Sequence, residues 1–245
     1  MGFYEQIAPY YDYIFPAGDE QLKFLQKAAG LPPKKILDVA CGSGVYSVKL
    51  AQLGYKVWAT DIDAEMVRLA GQKATDGMSE IKTFISDMQQ LDQHISEQFD
   101  CIFCIGNSIV HIGSADSILS AVFQMKNRLA PGGKLLLQII NFDRVLAKGV
   151  TSLPTIYNQE INLEFQRNYL RDDDRGLIYF DTVLTVNEDN GQNRFENRVE
   201  LFPLLALSLK EILTKAGFRS INFYGGFNQE PYIPDESFLL VTEAF

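Results

Sequence analysis

The chain has 245 residues, 47% of them hydrophobic and 22% charged, enough to bury a core without disulfide or metal staples. Lysine and arginine number 22 against 31 aspartates and glutamates, a net charge of −9, so a phosphate backbone is repelled and nucleic acid is not an expected partner. No apolar stretch approaches the length of a membrane-spanning helix, and MGFYEQIAPYYDYIF has neither the basic start nor the unbroken apolar run of a secretory signal, so a cytoplasmic chain without membrane attachment is expected.

Residues 3–30 read as two helical stretches broken near Pro16-Ala17-Gly18, the second running from Asp19, a candidate cap, to Ala29, with Gly30 ending it. From there strands and helices alternate. KILDVA (35–40) is a strand, residues 45–54 a helix, KVWATD (56–61) a strand, and residues 63–74 a helix capped by Asp63. IKTFISD (81–87) and FDCIFCIG (99–106) are strands, residues 115–130 a helix stopped by Pro131-Gly132-Gly133, and KLLLQIIN (134–141) a fifth strand. This rhythm predicts an α/β fold, a parallel sheet with helices on both faces.

Near residue 160 the rhythm changes. Residues 161–171, 176–188 and 193–204 alternate without helices between them and read as antiparallel strands, the last two joined at Asn190-Gly191. A helix (207–216) and two strands (218–225 and 237–245) close the chain. The predicted organisation is an N-terminal helical lid (1–30), a nucleotide-binding domain (31–145 and 205–245), and an inserted antiparallel cap on the substrate side (146–204). The cysteines are Cys41, Cys101 and Cys104, a sparse odd set that fits a reducing compartment. Cys101 and Cys104 lie three apart on a strand and point to opposite faces, so they read as core residues, and no metal is expected.

The first strand runs straight into Asp38-Val39-Ala40-Cys41-Gly42-Ser43-Gly44 and then a helix. Glycines at 42 and 44 let the backbone turn sharply and approach a ligand at the carboxyl end of the strand. A dinucleotide loop wants a third glycine, where this chain has Ser47. An S-adenosylmethionine loop wants an acid at the end of strand one, and Asp38 stands there, able to reach the methionine ammonium. Asp61 ends strand two, where a carboxylate can accept both ribose hydroxyls of either ligand. Asp87 ends strand three beside Met88, placed for the adenine amine and ring.

ILDVACGSG, ATDIDAEMV, SDMQQL, FDCIFCIGNSIVHI and LAPGGKLLL, in this order and spacing, resemble the successive motifs of the class I S-adenosylmethionine-dependent methyltransferases. The resemblance implies a Rossmann-like, seven-stranded, mostly parallel sheet with an antiparallel last strand, S-adenosylmethionine as cofactor, and a small-molecule acceptor. The implied cofactor residues are Asp38, Ala40, Gly42, Ser43, Gly44, Asp61, Ile62, Met66, Asp87, Met88, Gly106 and Asn107. CIGNSIVHI followed by NFDRVLAKG is more closely similar to the glycine and sarcosine N-methyltransferase branch, which implies that Asn107 holds the acceptor with His111 nearby. That branch has an arginine just before its Asn-aromatic-Asp segment, where this chain has Ile140.

An amine acceptor sheds its proton before attack, and an oxygen acceptor needs a general base, for which His111 is the candidate. The expected catalytic residues are thus Asn107, His111 and Tyr11. Tyr11, Asn107, Arg144 and Tyr169 are expected to bind the acceptor, drawn from a tyrosine-rich set that includes Tyr4, Tyr10, Tyr13, Tyr157, Tyr179 and Tyr224. The readings in competition with an amine or hydroxyl methyltransferase are a pocket protein without catalysis and a nicotinamide oxidoreductase using the same loop. The assembly is open between monomer and homodimer.

Overall fold

Alternate residues of the apolar strands face opposite sides of one sheet, and that parity builds two cores. The computed structural model describes residues 3–188 and 191–245, the side chains of residues 3 and 4 excepted. Five parallel strands, β1 (Lys35–Val39), β2 (Lys56–Asp61), β3 (Ile81–Ile85), β4 (Phe99–Cys104) and β5 (Leu129–Ile140), are joined by later strands β10 (Ile221–Tyr224) and β11 (Leu239–Ala244). The sheet order is β10-β11-β5-β4-β1-β2-β3, with β11 antiparallel to both neighbours. Ile36, Cys101, Phe103 and Leu136 face α3 (Asp19–Ala29) and α4 (Val45–Gln52). Leu37, Ile102, Cys104 and Leu135 face α6 (Ala115–Asn127) and α8 (Ala206–Lys215). Cys101 and Cys104 are thus fully buried in different cores.

A second sheet, order β6-β7-β8-β9, is antiparallel throughout: β6 (Ser152–Asn158), β7 (Leu163–Asp172), β8 (Leu177–Glu188) and β9 (Gly191–Leu201). Ile7 of α1 (Phe3–Ile7) and Ile14 of α2 (Tyr11–Ile14) pack on its Leu163, Phe165, Leu184 and Val186. The seven-stranded sheet stands as the resemblance implied, and the antiparallel region as the alternating patterns implied. The expected Asn190 turn falls outside the described residues, as does the side chain of Tyr4.

Several local expectations are corrected. Strand β6 has no counterpart in the sequence reading, because Pro154 breaks its pattern; it lies at the sheet edge, where a missing N–H is tolerated, and its register shifts between Leu153 and Ile156. Strand β5 begins at Leu129 rather than 134, running through Pro131-Gly132-Gly133, and α6 ends accordingly at Asn127. The residue flanking α3 is Gly18, not Asp19, which lies in its first turn, while Gly30 ends it as expected. Asp63 does cap α5 (Ala64–Asp76), accepting from the N–H groups of Glu65 and Met66. A six-residue helix, α7 (Phe142–Ala147), follows β5, and His111 sits in a 3-10 turn (Ser108–Ile112).

Candidate active site

Strand β1 ends in a loop that bends through three left-handed residues, Ala40 (φ 60°), Gly42 (φ 54°) and Gly44 (φ 75°). Gly44 permits close packing of the loop on α5: a β-carbon there would lie 2.6 Å from Ala70 Cβ. A β-carbon at Gly42 would lie 2.8 Å from the Tyr11 hydroxyl, so the N-terminal segment rests directly on the loop. Asp12 holds it there, accepting from Ser43 Oγ and pairing with Lys73 Nζ.

The acids meet at this loop. Asp61 Oδ2 accepts from Gly42 N at 2.8 Å and Oδ1 from Asp63 N at 3.0 Å, tying the end of β2 to the turn. Burial raises its pKa, and those two N–H groups oppose the shift. Asp38 is buried outright, and burial pushes its carboxyl up to about 8 against the opposing hydrogen bond from Ser47 Oγ, 2.6 Å from Oδ2. Ser47 stands where a dinucleotide loop has glycine; here its hydroxyl holds the acid. Asp87 Oδ1 accepts from Gln89 N at 2.8 Å. A buried carboxyl this reluctant to ionise is suited to a cationic partner, since a nearby positive charge favours its charged form.

These groups open into one cavity of about 740 Å³, within the usual range for small-molecule sites. Its wall holds Asp38, Ala40, Gly42, Asp61, Ile62 and Met66 from the loop side. It also holds Asp87, Met88, Gly106, Asn107 and His111 from the loops after β3 and β4, with Tyr11 above and Tyr169 from the second sheet. Ser43, Gly44 and Arg144 are not among the lining residues. Ser43 is buried against Asp12, and Arg144 stacks over the Phe238 ring, 5.7 Å from its centroid, with Phe238 itself on the wall. Of the other tyrosines singled out from the sequence, Tyr10 bonds Glu188 and Tyr179 lies beside Arg175, both away from the wall.

Asn107 takes a left-handed backbone (φ 69°), and its Oδ1 accepts from Ile140 N at 2.9 Å, so the side-chain carbonyl is committed and its NH₂ group is the end left for a ligand. His111 keeps accessible surface, and that surface is on the cavity wall; the protein packed around it disfavours the imidazolium and lowers its pKa. It is therefore a neutral proton acceptor at pH 7.

The Asn141-Phe142-Asp143 segment serves structure. Asn141 is fully buried, donates to the carbonyls of Pro234 and Ser237, and caps α7 through Arg144 N. Asp143 accepts from Ala206 N at 2.9 Å, and the Tyr232 hydroxyl lies 2.7 Å from Asn141 Oδ1 and 2.9 Å from Asp143 Oδ2.

The sequence reading missed Tyr46, Gln138, Arg167, Thr182 and Asn197, all on the wall. Gln138 accepts from Gly106 N at 2.8 Å and fixes the loop after β4. For Arg167 a signal existed. It shares parity with Leu163, Phe165 and Tyr169 along INLEFQRNYLR, a cation on the buried side of an alternating strand.

Residues 36–133 match a family model described as a methyltransferase domain. A glycine/sarcosine N-methyltransferase of Aphanothece halophytica is 32% identical over 203 residues, which span 83% of this chain and 72% of that protein. Another, of Halorhodospira halochloris, is 26% identical over 239 residues, or 98% of this chain and 85% of that one. In fold, the chain is similar to a solved S-adenosylmethionine-dependent methyltransferase of Clostridium acetobutylicum, with a TM-score of 0.83 and 17% identity over 99% of this chain and 98% of that one.

Proposed function

Because this chain belongs to the class I S-adenosylmethionine-dependent methyltransferases, we propose that it methylates the nitrogen of a small-molecule amine held beneath the second sheet. The supporting observation is one continuous cavity that joins the glycine loop and its acids to Asn107 and His111. When bound, the cofactor supplies an electrophilic methyl group on a sulfonium.

Asp38 is the residue for its ammonium, which draws the buried carboxyl into the ionised form. Asp61 takes the ribose hydroxyls, and Asp87 and Met88 take the adenine. Asn107 orients the acceptor through its free NH₂ group. His111, neutral at pH 7, removes the proton of the acceptor's ammonium. The nitrogen so freed of its proton and turned by Asn107 would be placed to accept the methyl group that the bound sulfonium would supply. Tyr11, lying over Gly42, helps to exclude water at that end. Alignment of nucleophile and methyl accounts for roughly 7–11 kcal/mol of such a barrier. The glycine/sarcosine relatives are N-methyltransferases by name, which supports nitrogen over oxygen.

The test is incubation with methyl-labelled S-adenosylmethionine and a panel of small primary and secondary amines, each beside its hydroxyl counterpart. Label is expected in amines. Label confined to hydroxyl compounds, or cofactor binding without transfer to any amine, refutes the reading.

A further inference from the structure

The second sheet's cavity face is not uniformly apolar. Pairing places Leu153, Arg167, Thr182 and Asn197 in one row across its four strands, and Tyr169, Phe180 and Val199 in the next; all seven line the cavity. Three polar atoms in these rows, Arg167 Nε, Tyr169 Oη and Thr182 Oγ1, are buried and have no hydrogen-bond partner among the described residues. A buried donor left unpaired is costly, more so in a charged group, and three together beside the cavity point to a ligand that completes the bonding.

The charges are segregated. Four lining acids, Asp38, Asp61, Asp63 and Asp87, stand at or just beyond the ends of β1, β2 and β3. Arg167 is the one arginine or lysine on the wall among the described residues, and it stands on the opposite sheet. No ion pair satisfies it among those residues; its Nη2 donates to the Pro154 carbonyl at 2.5 Å, which holds the guanidinium on the sheet without neutralising it. Burial disfavours its charged form, and burial also holds the Tyr169 hydroxyl far above its ordinary pKa, so this phenol stays a neutral donor.

We propose that Arg167, with the Tyr169 and Thr182 hydroxyls, forms a carboxylate-recognition subsite, so that the preferred acceptor is an amine that also bears a carboxylate. This rests on the methyl-transfer reading and adds to it the acceptor's second functional group. The guanidinium meets the carboxylate, the two hydroxyls donate to its remaining lone pairs, and the amine end is left to reach Asn107 and His111.

The experiment uses the full chain saturated with S-adenosylhomocysteine, titrated with glycine, β-alanine, 4-aminobutyrate and anthranilate, and with the carboxamide of each. At least one carboxylate is expected to bind tenfold or more tighter than its amide. Arg167→Gln should abolish that preference, and Arg167→Lys should keep part of it, both with S-adenosylhomocysteine affinity within about twofold of wild type. Equal binding of acids and amides by the wild type overturns the proposal, as does a preference that survives in Arg167→Gln. A tenfold loss of S-adenosylhomocysteine affinity in Arg167→Gln, with circular dichroism and melting unchanged, also overturns it, because Arg167 would then serve the cofactor's own carboxylate. Tighter binding of 2-aminoethyl phosphate than of β-alanine replaces the carboxylate with a phosphate. Failure of the wild type to bind S-adenosylhomocysteine at all refutes the methyl-transfer reading itself.

Discussion

Replacing Asp38 with asparagine should stabilise the ligand-free protein, and the gain should grow with pH. In the unfolded chain this carboxyl titrates near the ordinary aspartate value of about 3.9. In the folded protein burial raises it to about 8. Between those values the unfolded chain gives up the proton and the folded one keeps it, so rising pH favours unfolding by about 1.4 kcal/mol per pH unit. From pH 5 to pH 7 the accumulated loss is about 3 kcal/mol, a large share of a typical domain's stability. Asparagine preserves the shape and can still accept from Ser47 Oγ, but it has no proton to lose. Urea unfolding of both proteins at pH 5, 6 and 7 isolates the effect, because the other titrating groups nearly cancel in the difference. The advantage of Asp38→Asn should widen steadily over that range. Saturating S-adenosylhomocysteine should narrow or reverse it, because the ligand ammonium gives the ionised Asp38 a partner. A difference that stays constant from pH 5 to 7 would falsify the claim that Asp38 is held protonated by burial.

Asp61→Ala should weaken S-adenosylhomocysteine binding by at least about 1 kcal/mol in calorimetry, since it removes both the ribose acceptor and the carboxylate that anchors Gly42 N. Unchanged affinity counts against the ribose assignment. Gly42→Ala should cost roughly 1–2 kcal/mol in thermal or urea unfolding from its left-handed backbone, and should slow turnover further by displacing the Tyr11 ring. Turnover in wild type should fall with acid through a pKa below the usual histidine value as His111 gains a proton. His111→Gln should remove that limb and lower kcat by about 10²-fold or more; an unaltered pH–rate profile would strip His111 of its role as base.

Much of the loop side of the cavity wall was legible in the linear text. Asp38, Gly42, Asp61 and Asp87 stand at the ends of short apolar strands, and a parallel sheet brings its strand ends to one edge whatever the helices between them contain. Asp63 as a helix cap was equally local. The wall on the side of the second sheet was less legible. The sequence puts Arg144 among the residues expected to bind the acceptor, yet its short helix stacks it over Phe238. Arg167 lay unremarked between Gln166 and Asn168, because parity assigns a residue to a face without saying what that face meets.

The order of strands, the glycine turn and the acids beside it follow from local rules, namely side-chain period, capping and backbone freedom, each readable over a few residues. What covers the cavity was decided only by tertiary packing. Ile7 and Ile14 dock on Phe165 and Leu184, and two antiparallel pairings align Arg167 with Thr182 and Asn197. Those contacts join residues of different elements, Ile7 and Ile14 to strands more than a hundred residues later, so no short window of sequence contains them.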